Sequence, residues 1–155
     1  MRTRIHGDYH LGQILVTKDD FVITDFEGEP GLTFSERRLK RNPLKDVARM
    51  MRSIHYAALS NILLGNHYTD NDRALLDTWA EQWQHYAGRF YLGAYMESMG
   101  MNGTLTHEDG LLLRTFLLEK AIYELGFELG GRPDWTGVPL RGIEYLLKSN
   151  VKNEK

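Results

Sequence analysis

Two short acidic segments at the start of the chain, Ile5-His6-Gly7-Asp8-Tyr9-His10-Leu11-Gly12-Gln13 and Thr24-Asp25-Phe26-Glu27-Gly28-Glu29, constrain it more than any other feature. Between them, Ile14-Leu15-Val16-Thr17 and Phe21-Val22-Ile23-Thr24 are β-rich runs joined by Lys18-Asp19-Asp20, the pattern of a hairpin. A hairpin returns the chain to its starting point, so Gln13 and Asp25 are expected side by side at its open end. Two oxygen-bearing side chains meeting there suit a hard divalent cation such as Mg²⁺. Asp8 is displaced toward whatever the site acts upon. The bland alternative is a polar turn beside an ordinary hairpin.

Phosphoryl transfer needs a carboxylate near the acceptor hydroxyl and oxygen ligands that hold Mg²⁺ on the phosphates. Kinase catalytic loops read His-x-Asp, four residues, then Asn, with Asp-Phe-Gly further on. His6, Asp8 and Gln13 keep the first spacing with Gln for Asn, and Asp25-Phe26-Glu27-Gly28 stands where the second belongs. Agreement at several independent positions favours the functional reading over the turn.

At 155 residues one domain is expected, and a net charge of -2 with interspersed signs gives no reason to bind nucleic acid. The absence of Cys excludes disulfides and thiolate metal sites and suits a reducing cytoplasm. No apolar run approaches a membrane span, so no membrane partner is expected. No GxGxxG or GxxxxGK[ST] loop occurs, and the chain opens almost directly on the candidate catalytic loop. The expectation is therefore a C-terminal lobe of a larger protein, or a truncated relative, whose N-terminal ATP-binding lobe is absent.

Ser35 to Arg41 is a basic run that is ordinarily solvated. Asn42 caps a helix expected from Pro43 to about Leu63, with Leu44, Val47, Ala48, Met51, Ile54 and Ala58 at helical spacing. Asp46 in its first turn either complements the helix dipole or, as in kinase-like lobes, accepts N–H groups from the catalytic loop. Arg49 and Arg52 are ordinarily solvated, or face the site. After Gly65-Asn66-His67, a helix from Asp72 to about Met99 carries Leu75, Leu76, Trp79, Trp83, Tyr86 and Phe90, read as core packing in preference to a sugar platform. A loop follows from Met96 to Gly103. From Thr106, a helix to about Leu129 has Leu118, Ala121, Ile122, Leu125 and Leu129 as its buried stripe, with Lys120, Tyr123, Glu124 and Phe127 on another face. Arg132 to Trp135 breaks the chain, Pro139 starts a helix to about Ser149, and Lys152 to Lys155 reads as a frayed tail. The fold class is α+β, mostly α-helical: a catalytic loop and hairpin over 4–29 and a helical remainder over 43–149, as in the C-terminal lobe of the kinase-like fold.

Over roughly Arg4 to Leu147 the chain resembles the C-terminal lobe of maltokinases, alone or fused to trehalose synthase, relatives of the aminoglycoside phosphotransferases and of the protein-kinase-like superfamily. The resemblance rests on His6 to Gln13, Ile23 to Pro30, Glu36-Arg37-Arg38, Pro43 to Ala48, Arg52-Ser53 and Leu118 to Leu125. It implies ATP-dependent phosphorylation of maltose to maltose 1-phosphate. Asp8 would be the catalytic base and His6 would orient its loop, while Gln13 and Asp25 would hold Mg²⁺. Glu27, Arg52, Lys120, Tyr123 and Glu124 would line the sugar side, and His10 would sit near the acceptor or buttress the loop. Alternatives are a kinase for another sugar or amino sugar, and an inactive module docking on trehalose synthase or on itself. Exposed apolar surface around Tyr9, Leu11 and the hairpin leads to an expected homo-oligomer.

Overall fold

The computed structural model describes residues 2–65, 68–101 and 104–151, the last three through their backbone alone. The hairpin forms as read: β1 (Ile14–Val16) pairs antiparallel with β2 (Phe21–Ile23), register Ile14↔Ile23 and Val16↔Phe21. Thr17 and Asp20 close it, Thr17 N–H donating to Asp20 O at 2.8 Å. A 3₁₀ turn, Leu11–Gln13, leads into β1.

Among the described residues five helices follow. The basic run contains α1 (Phe34–Arg37), started by a capping box in which Thr33 and Glu36 exchange bonds. Arg37 is not simply solvated, because it donates to the carbonyls of Leu32 and Pro30 at 2.9 Å each. Next comes α2 (Leu44–Leu64), with Asn42 Oδ1 accepting the Leu44 N–H at 2.9 Å. Thr69 and Asp72 form the capping box of α3 (Asp70–Ser98), and Thr106 caps α4 (His107–Gly131). A 3₁₀ turn over Pro133–Trp135 joins α4 to α5 (Gly137–Val151). That last helix begins two residues before Pro139, which is tolerated because first-turn N–H groups have no intrahelical acceptor. The loop expected from Met96 shortens to a turn at Met99 and Gly100; Asn66, His67, Asn102, Gly103 and the tail from Lys152 lie outside the described residues.

The central element is α2, which packs against α3, α4 and α5. Leu44, Val47 and Ala48 bury with Leu113 of α4, and Leu59 and Ile62 bury with Ala80 of α3 and Val138 of α5. Two periodicity readings are corrected. On α3, Leu75, Trp79, Trp83, Tyr86 and Phe90 face solvent, while Ala80, Gly88 and Met96 face inward. Small residues let α3 approach α2 closely, and a Cβ on Gly88 would lie 3.6 Å from Met51 Cε. On α4, Ala121 is buried, Leu118 and Leu125 are half-buried, and Ile122 and Leu129 are exposed; the inward face carries Leu113, Ala121 and Glu128. That polar inward turn is possible because arginines meet its carboxylates. Arg49 and Arg52 are 4% and 3% exposed, contrary to the solvated reading. Among the described residues no helix is long and apolar enough to cross a membrane.

Candidate active site

The loop carrying Asp8 is held from below by the first turn of α2. Asp46 Oδ2 accepts the His6 N–H at 2.7 Å and Oδ1 accepts the Gly7 N–H at 3.0 Å. Burial raises the Asp46 carboxyl above the usual carboxylate range, and the two N–H groups pull the other way. The buried His6 ring then ties the acidic segments together. Its Nε2 donates to Thr24 O at 2.8 Å, which leaves Nδ1 to accept the Asp8 N–H at 3.3 Å. The ring also packs on Phe26, centroids 4.8 Å apart. Gly7 and Gly28, each at φ +86°, bring the segments into contact, since a Cβ on Gly7 would lie 3.2 Å from Gly28 Cα.

Asp8 points into a cleft of about 500 Å³ between the loop, α2 and α4. Its Oδ1 accepts from Arg49 NH1 at 3.2 Å, and its Oδ2 lies 3.8 Å from His10 Nε2. The same Arg49 guanidinium reaches Glu29 through NH2. His10 accepts the Gly12 N–H through Nδ1, which turns Nε2 toward Asp8. Opposite, α4 supplies Lys120, Tyr123, Glu124, Phe127 and Glu128. Burial lowers the Lys120 ammonium against the attraction of Glu124, and burial raises Glu124 against Arg52. Lys120 lies over the Tyr123 ring, 4.8 Å from its centroid. At the far end Arg132 grips Glu128 with two bonds of 2.9 and 2.8 Å and stacks on Trp135.

Gln13 and Asp25 meet as the hairpin geometry requires, Gln13 Nε2 donating to Asp25 Oδ2 at 2.9 Å. Asp25 adopts φ +60°, a left-handed conformation that a short polar side chain tolerates and that clusters at functional sites. The pair stands at the exposed end of the hairpin, outside the cleft that holds Asp8. An amide oxygen and a carboxylate fit Mg²⁺, which takes few protein ligands and fills its shell with water and phosphate oxygens. Among the described residues no three His, Asp or Glu side chains gather as a metal site by themselves.

The structure therefore brings Asp8, His10, Lys120, Tyr123 and Glu124 into one cleft, with His6 and Asp46 beneath it. Two expected sugar-side residues lie elsewhere. Glu27 is exposed outside the cleft, and Glu29 takes the inward place because the chain turns at Gly28. Arg52 is buried behind Glu124, with Nε 2.9 Å and NH2 2.7 Å from Glu124 Oε2, and lines a separate cavity. Glu29, Tyr56, Glu128 and Arg132 were not singled out from sequence. The Glu128-Arg132 spacing of four on a helix was the available signal.

No family model matches the chain. It is 31% identical to a glucosamine kinase of Mycolicibacterium smegmatis over 144 residues, 92% of this chain and 34% of that protein. With a glucosamine kinase of Streptacidiphilus jiangxiensis it shares 26% identity over 149 residues, 96% of this chain and 32% of the relative. Among solved structures, glucosamine kinase in crystal form A superposes with a TM-score of 0.78 at 23% identity, over 99% of this chain and 36% of that one. The complex of glucosamine kinase with glucosamine, ADP and inorganic phosphate gives 0.72 at 21% identity, over 99% and 37%. The chain thus spans about a third of the length of these relatives. These likenesses are to glucosamine kinases and give no separate support to maltokinase or to a trehalose synthase partner. The chain has the fold of the corresponding third of the solved glucosamine kinases and is similar to that sugar-kinase group in sequence.

Proposed function

We propose that this chain is the acceptor-binding, catalytic lobe of an ATP-dependent sugar kinase whose acceptor is an amino sugar of the glucosamine type. The observation that carries the reading is the cleft that joins Asp8 to Lys120, Tyr123 and Glu124 of α4. The similarity to glucosamine kinases supports an amino sugar as the substrate class of that cleft. Asp8, Glu29, Glu124 and Glu128 face the cleft with Arg49, Lys120 and Arg132 among them, so its polar lining offers both donors and acceptors to a sugar, and the amino-sugar class rests on the similarity. The nucleotide side is assigned to a part of the protein outside this third.

In this reading Asp8 orients the acceptor hydroxyl and takes its proton. Phosphoryl transfer passes through a loose transition state in which that proton leaves late, so Asp8 acts chiefly by position. Arg49 and His10 fix the carboxylate, and Asp46 fixes the loop beneath it. Tyr123 and Phe127 offer aromatic faces to the sugar ring, and Lys120 and Glu124 offer a donor and an acceptor to its hydroxyls. Gln13 and Asp25 would hold Mg²⁺, which when bound neutralises charge on the transferring phosphoryl group.

Saturation-transfer NMR on the purified chain with glucosamine, and separately with maltose, tests the reading. Glucosamine signals should be saturated, and Tyr123→Ala should diminish them. Saturation of maltose alone would overturn the amino-sugar assignment, and saturation of neither would overturn the acceptor-lobe assignment.

A further inference from the structure

Four aromatic side chains on α3, Trp79, Trp83, Tyr86 and Phe90, are between 51% and 80% exposed, and Leu75 extends the row. With Leu75 they recur at steps of three and four residues, so they form one line of roughly 22 Å along the helix at 1.5 Å per residue. Within about 60° of that line the helix carries no charge from Leu75 to Ala94, and acidic residues return only at Asp72 and Glu97. Aromatic enrichment with charge excluded to the ends is the composition of an interface core.

We propose that this face of α3 pairs two copies of the chain through a two-fold, antiparallel helix contact. The area matches. Aromatic side chains offer 150–250 Å² each, so four at these exposures with Leu75 present on the order of 500 Å² of apolar surface. A standard interface covers about 800 Å² per partner, and about 65% of that is apolar in homodimers, again roughly 500 Å². The spacing is also self-complementary, as a two-fold contact requires. With the axis between Trp83 and Tyr86, each Trp83 meets the other copy's Tyr86 and each Trp79 meets its Phe90. In the same register Leu75 falls on Ala94, large against small, beside Gly93. A Cβ added at Gly93 would meet nothing within 4 Å, so its surface is open to an incoming side chain. The contact is independent of the cleft and of the acceptor reading.

Sedimentation equilibrium on the full 155-residue chain tests the pairing, with a monomer mass of 17.9 kDa. Twice that mass is expected at roughly 100 µM, with Trp83→Glu and Phe90→Glu each returning the monomer while circular dichroism stays unchanged. Val16→Glu, on the exposed hairpin, should leave the pair intact. Two of the three tryptophans lie on this face, so dilution of the wild type should shift tryptophan emission to the red. A wild-type monomer at roughly 100 µM would overturn the proposal. So would a pair that survives Trp83→Glu and Phe90→Glu, or one abolished by Val16→Glu.

Discussion

Arg49 stands behind Asp8, its NH1 3.2 Å from Oδ1, and its NH2 reaches Glu29 on the second acidic segment. One buried guanidinium therefore fixes two carboxylates contributed by two loops. Removing one partner of a buried ion pair leaves the others uncompensated, at a cost of about 3–5 kcal/mol. Arg49→Met should lower the unfolding free energy by about 3 kcal/mol in urea titration, whereas exposed Arg89→Met should change it by less than about 0.5 kcal/mol. Equal small effects from both would show that Arg49 does not organise the site.

Asp46 supports the loop by a different device, two backbone N–H bonds to one carboxylate. Asp46→Ala leaves both donors without their acceptor and should cost about 2–4 kcal/mol, at roughly 1–2 kcal/mol per donor. Hydrogen exchange provides the local readout. The His6 and Gly7 amides should be protected in the wild type and exchange far faster in the variant; unchanged protection would mean that the loop is held by other contacts.

The hairpin and the meeting of Gln13 with Asp25 were legible because both follow from short-range geometry: two β-rich runs and a three-residue connection permit one closure. Asp46 was half legible, since its place in a first turn left two roles open and only the tertiary fold put His6 and Gly7 above it. Lys120, Tyr123 and Glu124 were legible as one face of a helix and took their sugar-side role from resemblance, and the cleft gathers them. Arg49 was illegible for a physical reason. A charge on an amphipathic helix is buried only if carboxylates arrive from elsewhere, and no spacing announces that Asp8 and Glu29 will. The α3 stripe failed for a related reason. Periodicity tells which residues share a face and not which way the face points, and here Ala80 and Gly88 do the packing.

His55 makes stability depend on pH. It is buried, with Nε2 donating to Val138 O at 3.1 Å and Nδ1 bonded to Gln84, and burial lowers its pKa to about 4. The unfolded chain titrates near the ordinary histidine value of about 6.5, so between these values the unfolded state binds the extra proton. Stability should therefore be full above pH 7 and fall as pH drops from about 6.5 to 4, by up to roughly 3 kcal/mol at 1.36 kcal/mol per pKa unit. Carboxylates titrate at the acid end of the same window, so the comparison is made with His55→Gln. Urea titrations from pH 7.5 to 4.5 should give a distinctly shallower decline for the variant. Parallel declines would assign the pH dependence to other groups.

Two glycine-to-alanine changes should move stability in opposite directions although both lie inside helices. Gly126 in α4 has open space where a Cβ would go, so Ala there gains helix propensity of up to about 1 kcal/mol at no packing cost. Gly142 in α5 gains the same propensity, but its Cβ would fall 2.0 Å from Arg52 NH1. Arg52 cannot swing into water without leaving the half-buried Glu124, and overpacking of this kind costs about 1–3 kcal/mol. Thermal unfolding should then place Gly126→Ala above the wild type and Gly142→Ala below it. A Gly142→Ala protein as stable as Gly126→Ala would mean that Arg52 has room to move, and the tight seat of Glu124 in the cleft wall would have to be abandoned with it.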